Sequence, residues 1–337
     1  MEPILSVRNL TVDLAVRREL RRILYDVSLD VYPGEIVGLV GESGSGKSVT
    51  AAAIMQLLPG GAKAITGGSV TFQGQDLTRV TPKTMREIRG RDISMIFQEP
   101  MTSLNPVFTV ESQFVDVART HQKLSSAAAR QRALELLQAV RISDPARVLN
   151  CYPHELSGGM RQRVMIAMAQ SCSPALLIAD EPTTALDVTI QAQILRLLQA
   201  AAREKQTAVL LISHDLGVVS QLCRRVAVMY AGEIVECGLT DDILQAPRHP
   251  YTRALLKSVP DFGTPAGQLT SIDGTVPDAG AVMPGCRFQP RCPEAYAHCL
   301  LKAPEPVWLA GNHNVRCCRL AGEEVLHDGC AAVGGCS

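Results

Sequence analysis

The sequence predicts an α/β protein whose parallel sheet is covered by helices on both faces and carries a phosphate-binding loop at one strand end. Three observations predict it. Residues 41–48, Gly-Glu-Ser-Gly-Ser-Gly-Lys-Ser, fit G-x-x-x-x-G-K-[ST] at every fixed position, between an apolar strand-like run at 35–40 and a helix-length run at 49–58 closed by Pro59-Gly60. Strand-sized apolar runs at 175–179, 208–212 and 225–229 alternate with helical stretches at 188–204 and 215–222. Hydrophobic residues are 46% and charged residues 20% of 337, the composition of a globular chain long enough for two domains or one large domain with an appendage.

Strand, glycine loop and helix is the order that phosphate binding needs. Glycines let the loop turn its N–H groups inward, and the following helix presents the positive end of its dipole. Gly41, Ser43, Gly44, Ser45, Gly46 and Val49 are expected around the phosphates, with Lys47 reaching the β and γ positions and the Ser48 hydroxyl on Mg²⁺. The bland alternative is a glycine-rich turn followed by a chance Lys-Ser pair.

In chain order, residues 4–7, 11–16, 25–31 and 35–40 read as strands, with a turn at Pro33-Gly34. Residues 17–22 hold five charges in six positions and read as a solvated loop or hairpin end. A strand is expected at 67–72, a polar helical connector at 75–90 and an alternating strand at 92–98. Pro100 and Pro106 break that strand, and the helical spacing of 110–118, 126–141 and 148–152 suggests an inserted helical subdomain at about 100–160. Leu156-Ser157-Gly158-Gly159-Met160-Arg161-Gln162-Arg163 opens a helix over 164–172, and the all-apolar run 175–179 ends in Asp180-Glu181.

Composition closes off several function classes. Lys+Arg and Asp+Glu are both 33, so nothing suggests a general nucleic-acid or anionic-membrane surface. The apolar runs fall short of the roughly 18 residues of a spanning helix. No secretory signal is expected over residues 1–11, so the 11 cysteines are expected in a reducing compartment. Cys151, Cys172, Cys223 and Cys237 read as small apolar side chains, whereas seven cysteines crowd between Cys286 and Cys336.

The phosphate loop, Gln98, Leu156 to Met160, Asp180-Glu181 after an aliphatic strand, Ala185-Leu186-Asp187 and His214 follow one another in the order and spacing of the ATP-binding subunits of ABC transporters, which residues 1 to about 240 resemble. The resemblance implies an ABC-type P-loop NTPase, with a RecA-like core, an antiparallel β-subdomain and the inserted helical subdomain, that hydrolyses ATP with Mg²⁺. On it, Asp180 holds Mg²⁺ through its water shell, Glu181 polarises the attacking water, Gln98 touches Mg²⁺ or water, and His214 contacts the γ-phosphate. Taken alone, an acid pair at a strand end is a solvated turn, Gln98 a polar strand end and His214 a structural histidine. Ser157, Gly158 and Gly159 would grip the γ-phosphate of ATP held by an opposite subunit, which implies a dimer with Asp187 coupling its halves. The family usually stacks an aromatic ring on adenine; here residues 17–22 hold none, leaving Arg21 or Arg22 to stack.

Residues 97–106, 179–193 and 247–252 (Pro-Arg-His-Pro-Tyr-Thr) are similar to the importers of dipeptides and oligopeptides and their relatives for nickel and glutathione. In that branch a carboxyl-terminal extension, here 241–337, carries a cysteine quartet. Cys286, Cys292, Cys299 and Cys317 resemble the ligands of a [4Fe-4S] cluster, with structural zinc or free thiols as alternatives. The implied partners are a second, related but different ATPase subunit, two transmembrane permease subunits and an extracytoplasmic solute-binding protein, with no nucleic acid. The implied place is peripheral, on the cytoplasmic face of the cell membrane. An ABC ATPase acting on nucleic acid or ribosomes, or a redox-sensing or iron-sulfur assembly ATPase, are the other classes weighed.

Overall fold

The computed structural model describes residues 2–16, 19–98, 103–183, 188–258, 272–278 and 280–320. β1 (Leu5–Val16) and β2 (Glu19–Val31) form a long antiparallel pair in which Val16 pairs with Glu19, and the part of the charged stretch at 19–22 is strand, not loop. One strand runs where two were expected at 4–7 and 11–16. A register shift between Val7 and Leu10, with Asn9 left-handed at φ 49°, absorbs the break as a bulge. After β3 (Ile36–Val40), α1 (Lys47–Ile54) starts two residues before the expected helix, directly from Gly46. β4 (Ile65–Phe72) and β5 (Gln75–Asp76) complete a four-stranded antiparallel sheet of order β2-β1-β4-β5. The polar connector expected at 75–90 is α-helical only in α2 (Pro82–Ile88), which Thr81 caps and Pro82 opens.

β6 (Ile93–Ile96) leads into α3 (Val110–Gln122), α4 (Ser126–Ala139) and α5 (Pro145–Asn150). Each of these helices begins where a short polar side chain, Thr109, Ser125 or Asp144, accepts an otherwise orphan backbone N–H. α6 (Gly158–Ala169) contains the glycine pair in its first turn, earlier than the helix expected from 164. β7 (Leu176–Asp180), α7 (Val188–Lys205), β8 (Ala208–Ser213), α8 (Leu216–Leu222), β9 (Arg225–Tyr230) and β10 (Glu233–Leu239) follow. Then come α9 (Thr240–Gln245), α10 (Pro250–Lys257), α11 (Ala297–Leu301), β11 (Val307–Leu309) and β12 (His313–Val315).

The main sheet has the order β11-β12-β10-β9-β3-β8-β7-β6, and from β9 to β6 it is parallel. Its central strands β3, β7 and β8 are buried at every position because both faces are covered. Leu177, Ala179, Val209, Leu211, Val226 and Val228 join the core shared with α3–α8. Their neighbours Leu176, Ile178, Leu210, Ile212, Ala227 and Met229 pack with α1 and the antiparallel sheet. Val40 is level with Ser213 and Asp180 with Ile212, so the carboxyl ends of β3, β7 and β8 open side by side. That edge is where an open α/β sheet binds ligands.

Beyond residue 240 the sheet continues: β12 pairs antiparallel with β10, and β11 with β12. Tyr251 and Phe288, 0% and 1% exposed, belong to the same apolar core as the sheet. The metal-binding expectation for this region fails, for cluster and zinc alike. Among the described residues no group of three or more His, Cys, Asp or Glu side chains is placed to hold a metal ion. Cys286 and Cys292 pack instead against the main apolar core, and Cys299 and Cys318 are buried. Burial pushes the Cys286 thiol up to about 12 and raises those of Cys292 and Cys317. Cys330 and Cys336 lie outside the described residues.

Candidate functional site

The phosphate loop leaves β3 at Gly41, whose φ of 151° and surroundings admit only glycine: a Cβ there would come within 2.1 Å of the Met229 carbonyl oxygen. Gly46, at φ 107°, is the N-cap of α1, and a Cβ on it would meet Leu24 and Met229 at 2.9 Å. The loop is thus pressed onto β9 and β2 from behind. Its front is open at Gly44, where a Cβ would meet nothing within 4 Å. Ser43 leads to that open tip, Ser45 is fully buried beneath it, and Val49 lies in the first turn of α1.

Lys47, 5% exposed, turns back on its own loop. Its Nζ donates to the carbonyls of Gly41 (2.8 Å) and Glu42 (2.9 Å). Burial lowers its pKa, while Glu181, Asp180 and Glu42 act to raise it. The Lys47 Nζ is thus held among backbone acceptors that a phosphate can replace.

Asp180 ends β7 only 4% exposed, and its Oδ1 has no hydrogen-bond partner among the described residues. Burial raises its pKa, Ser48 lowers it through a hydrogen bond, Glu181 raises it and Lys47 lowers it. A desolvated carboxylate with an orphan oxygen beside a hydroxyl is a hard-oxygen donor set, and it fits Mg²⁺.

The next residue, Glu181, sits in the left-handed region at φ 47°, which turns its side chain across the strand ends. The Gln98 Nε2 donates to its Oε2 at 3.0 Å, and His214 Nδ1 lies 3.2 Å from its Oε1. Two sequence-predicted residues, from beyond β6 and β8, thus converge on the carboxylate of a third just past β7. His214 is 61% exposed at its side chain and Glu181 14%, so the acid is recessed behind an open imidazole.

Ser157 caps α6, its Oγ accepting from the Met160 N–H at 3.3 Å. A Cβ on Gly158 would meet nothing within 4 Å, and on Gly159 only Ile190 at 3.9 Å. The first turn of this helix is therefore a bare backbone surface, able to take an anion from outside. The buried Gln162 joins it to the strand ends, donating from Nε2 to the Pro182 carbonyl at 2.6 Å. Sequence reasoning passed over Gln162, because nothing in a helical polar residue announces a contact twenty positions away.

For adenine, Arg22 is engaged with Asp13 (2.9 Å) and Arg21 with Glu19 (3.0 Å), both within the β1–β2 pair. Asp187, with Ala185 and Leu186, lies outside the described residues, as do Arg17, Arg18 and residues 99–102.

The sequence profile of the family described as ABC transporter matches residues 24–184, and that of the oligopeptide/dipeptide transporter C-terminal region matches 235–299. The chain is 50% identical over 317 residues to the dipeptide transport ATP-binding protein of Bacillus subtilis, covering 94% of this chain and 95% of that one. It is 49% identical to the probable D,D-dipeptide transport ATP-binding protein of Escherichia coli strain K12, over 96% of this chain and 99% of that protein. Among solved structures it is similar to an ATP-binding cassette bound to ADP and Pi in a dimeric, post-hydrolysis state. The TM-score is 0.64 at 28% identity, over 70% of this chain and 98% of the other.

Proposed function

The chain belongs to the ATP-binding subunits of ABC transporters, in their dipeptide and oligopeptide importer branch, and from that membership we propose how its residues drive the ATP hydrolysis that powers peptide import. The protein hydrolyses ATP, and the energy moves peptides. Subunits of this kind work with membrane permeases and a substrate-binding protein. No helix among the described residues is long and apolar enough to cross a membrane.

In our reading the N–H groups of residues 43–48 cradle the phosphates, and Lys47 exchanges its loop carbonyls for β and γ oxygens. Ser48, Asp180 and Gln98 are the residues that would hold Mg²⁺, which supplies neutralisation of the phosphate charge. Glu181 accepts the proton of the attacking water. Gln98 and His214 hold its two oxygens, and His214 faces the γ-phosphate from the open side. The convergence of Gln98 and His214 on Glu181 carries this assignment.

Ser157, Gly158 and Gly159 receive the γ-phosphate of ATP held by a second, related ATPase subunit, an arrangement supported by the bare first turn of α6. The pair docks on two permeases at the cytoplasmic face of the membrane. Phe97, Val107 and Phe108, 42%, 70% and 49% exposed around the exit of β6, offer the apolar contact. The test is reconstitution with the permeases in vesicles. Peptide-loaded binding protein stimulates hydrolysis by the complex with the natural chain and not with Glu181→Gln; no stimulation with the natural chain would overturn the reading.

A further inference from the structure

An acidic residue inside a phosphate loop is a liability, because its charge repels the triphosphate that the loop must hold. Glu42, directly after Gly41, is such a residue. It is met by the carboxyl-terminal extension. Arg291 forms a bidentate pair with it, Nη1 to Oε2 at 2.7 Å and Nη2 to Oε1 at 3.0 Å. The Tyr251 hydroxyl accepts the Glu42 backbone N–H at 2.9 Å. The Glu42 carbonyl is one of the oxygens that hold Lys47.

Both extension residues are themselves fixed. The Arg291 side chain is 4% exposed and donates to the carbonyls of Asp273 (2.9 Å) and Ile272 (3.1 Å). Tyr251 packs with Tyr230 and Phe288 at centroid separations of 4.6 and 5.3 Å, three buried rings that join α10 and the 280s to the end of β9. The pair with Glu42 raises the Arg291 pKa, so the cation is permanent.

We propose that Arg291 is a positioning residue for ATP binding: it neutralises Glu42 and, with Tyr251, clamps the phosphate loop to the extension, so that the loop binds nucleotide at full strength only with the extension in place. The inference rests on the nucleotide-site reading above. A fork-to-carboxylate pair between elements 249 residues apart carries both parts, since it supplies charge and geometry together.

The experiment is Mg-ATP binding by the full chain, followed calorimetrically, with steady-state hydrolysis alongside. Arg291→Ala should weaken affinity about tenfold, the scale of a partly buried charge left unpaired, and raise KM more than it lowers kcat. Adding Glu42→Gln to that variant should restore most of the affinity, because the repelling charge is then gone. Unchanged affinity in Arg291→Ala, or a loss that Glu42→Gln does not recover, overturns the proposal. Should Arg291→Ala fail to fold, Glu42→Gln alone decides: it removes the repelling charge while its amide oxygen can still accept from Arg291, and should tighten binding about threefold at low salt, less at high salt. Affinity equal to the natural chain's at both salt concentrations overturns it. Failure of the natural chain to bind Mg-ATP at all would instead overturn the nucleotide-site reading.

Discussion

The role proposed for Glu181, taking a proton from water, needs an aimed carboxylate, and Glu181 has a left-handed backbone and Gln98 and His214 on its two oxygens. Replacing Glu181 with Gln keeps the shape and removes the base. Hydrolysis should fall by about 10²- to 10⁴-fold while Mg-ATP still binds, measured as single-turnover rate and equilibrium affinity on the same preparation. His214→Ala frees one oxygen of Glu181 and should cost about tenfold or more in rate with little change in affinity. These residues were legible through their order and spacing in the family that the chain resembles, not from their own chemistry. Their mutual contact was not, since Gln98 and Glu181 are 83 positions apart and only the pairing of β6 with β7 brings them together. Tyr251 is an intermediate case. It lies in the 247–252 stretch that marked the importer branch, yet no local pattern says that its hydroxyl reaches the phosphate loop.

At the scale of elements, caps decide where the helices begin, and α6 begins at its cap, earlier than the apolar run at 164 suggested. Ser157→Ala removes the acceptor for the Met160 N–H and should lower stability by about 1 kcal/mol in denaturant unfolding. The seam between β10 and the extension was unreadable in sequence, being built from isolated polar residues. Glu236, 0% exposed, accepts the backbone N–H groups of Arg248 (2.6 Å) and His249 (3.0 Å), and His313 Nε2 lies 2.8 Å from it. Burial would raise the Glu236 pKa, but the hydrogen bonds from His313 and the two backbone amides hold it below the usual range. Burial pushes His249 down to about 4, with Glu236 and Glu294 opposing and Arg253 assisting.

The sign of the pH effect follows. Between about 6.5 and about 4 the unfolded chain protonates this histidine and the folded chain does not, so stability present above about 6.5 is lost as pH falls to about 4. The loss is on the order of 3 kcal/mol when complete. Melting temperature should therefore drop between pH 7.5 and pH 5, and His249→Gln should flatten that slope; a slope unchanged by the substitution would contradict the assignment.

At the scale of the molecule, the alternation of apolar strands with helices made the parallel core legible, and the phosphate loop located its working edge. The extension was legible as a branch marker and misread as a metal staple. Crowded cysteines looked like ligands, whereas Cys286 and Cys292 pack on the apolar core and the region is tied down by β12, Phe288 and Arg291. The phosphate loop, Glu181 and the extension thus gather on one sheet, and the first turn of α6 at Gly158 is bare. The most direct measurement of the central claim is uptake of a labelled dipeptide by cells lacking the natural subunit and supplied with either the natural chain or its Glu181→Gln variant at equal abundance. Uptake restored by the natural chain and not by the variant is the predicted result. Uptake indifferent to loss of the subunit, or restored equally by the variant, would contradict the account.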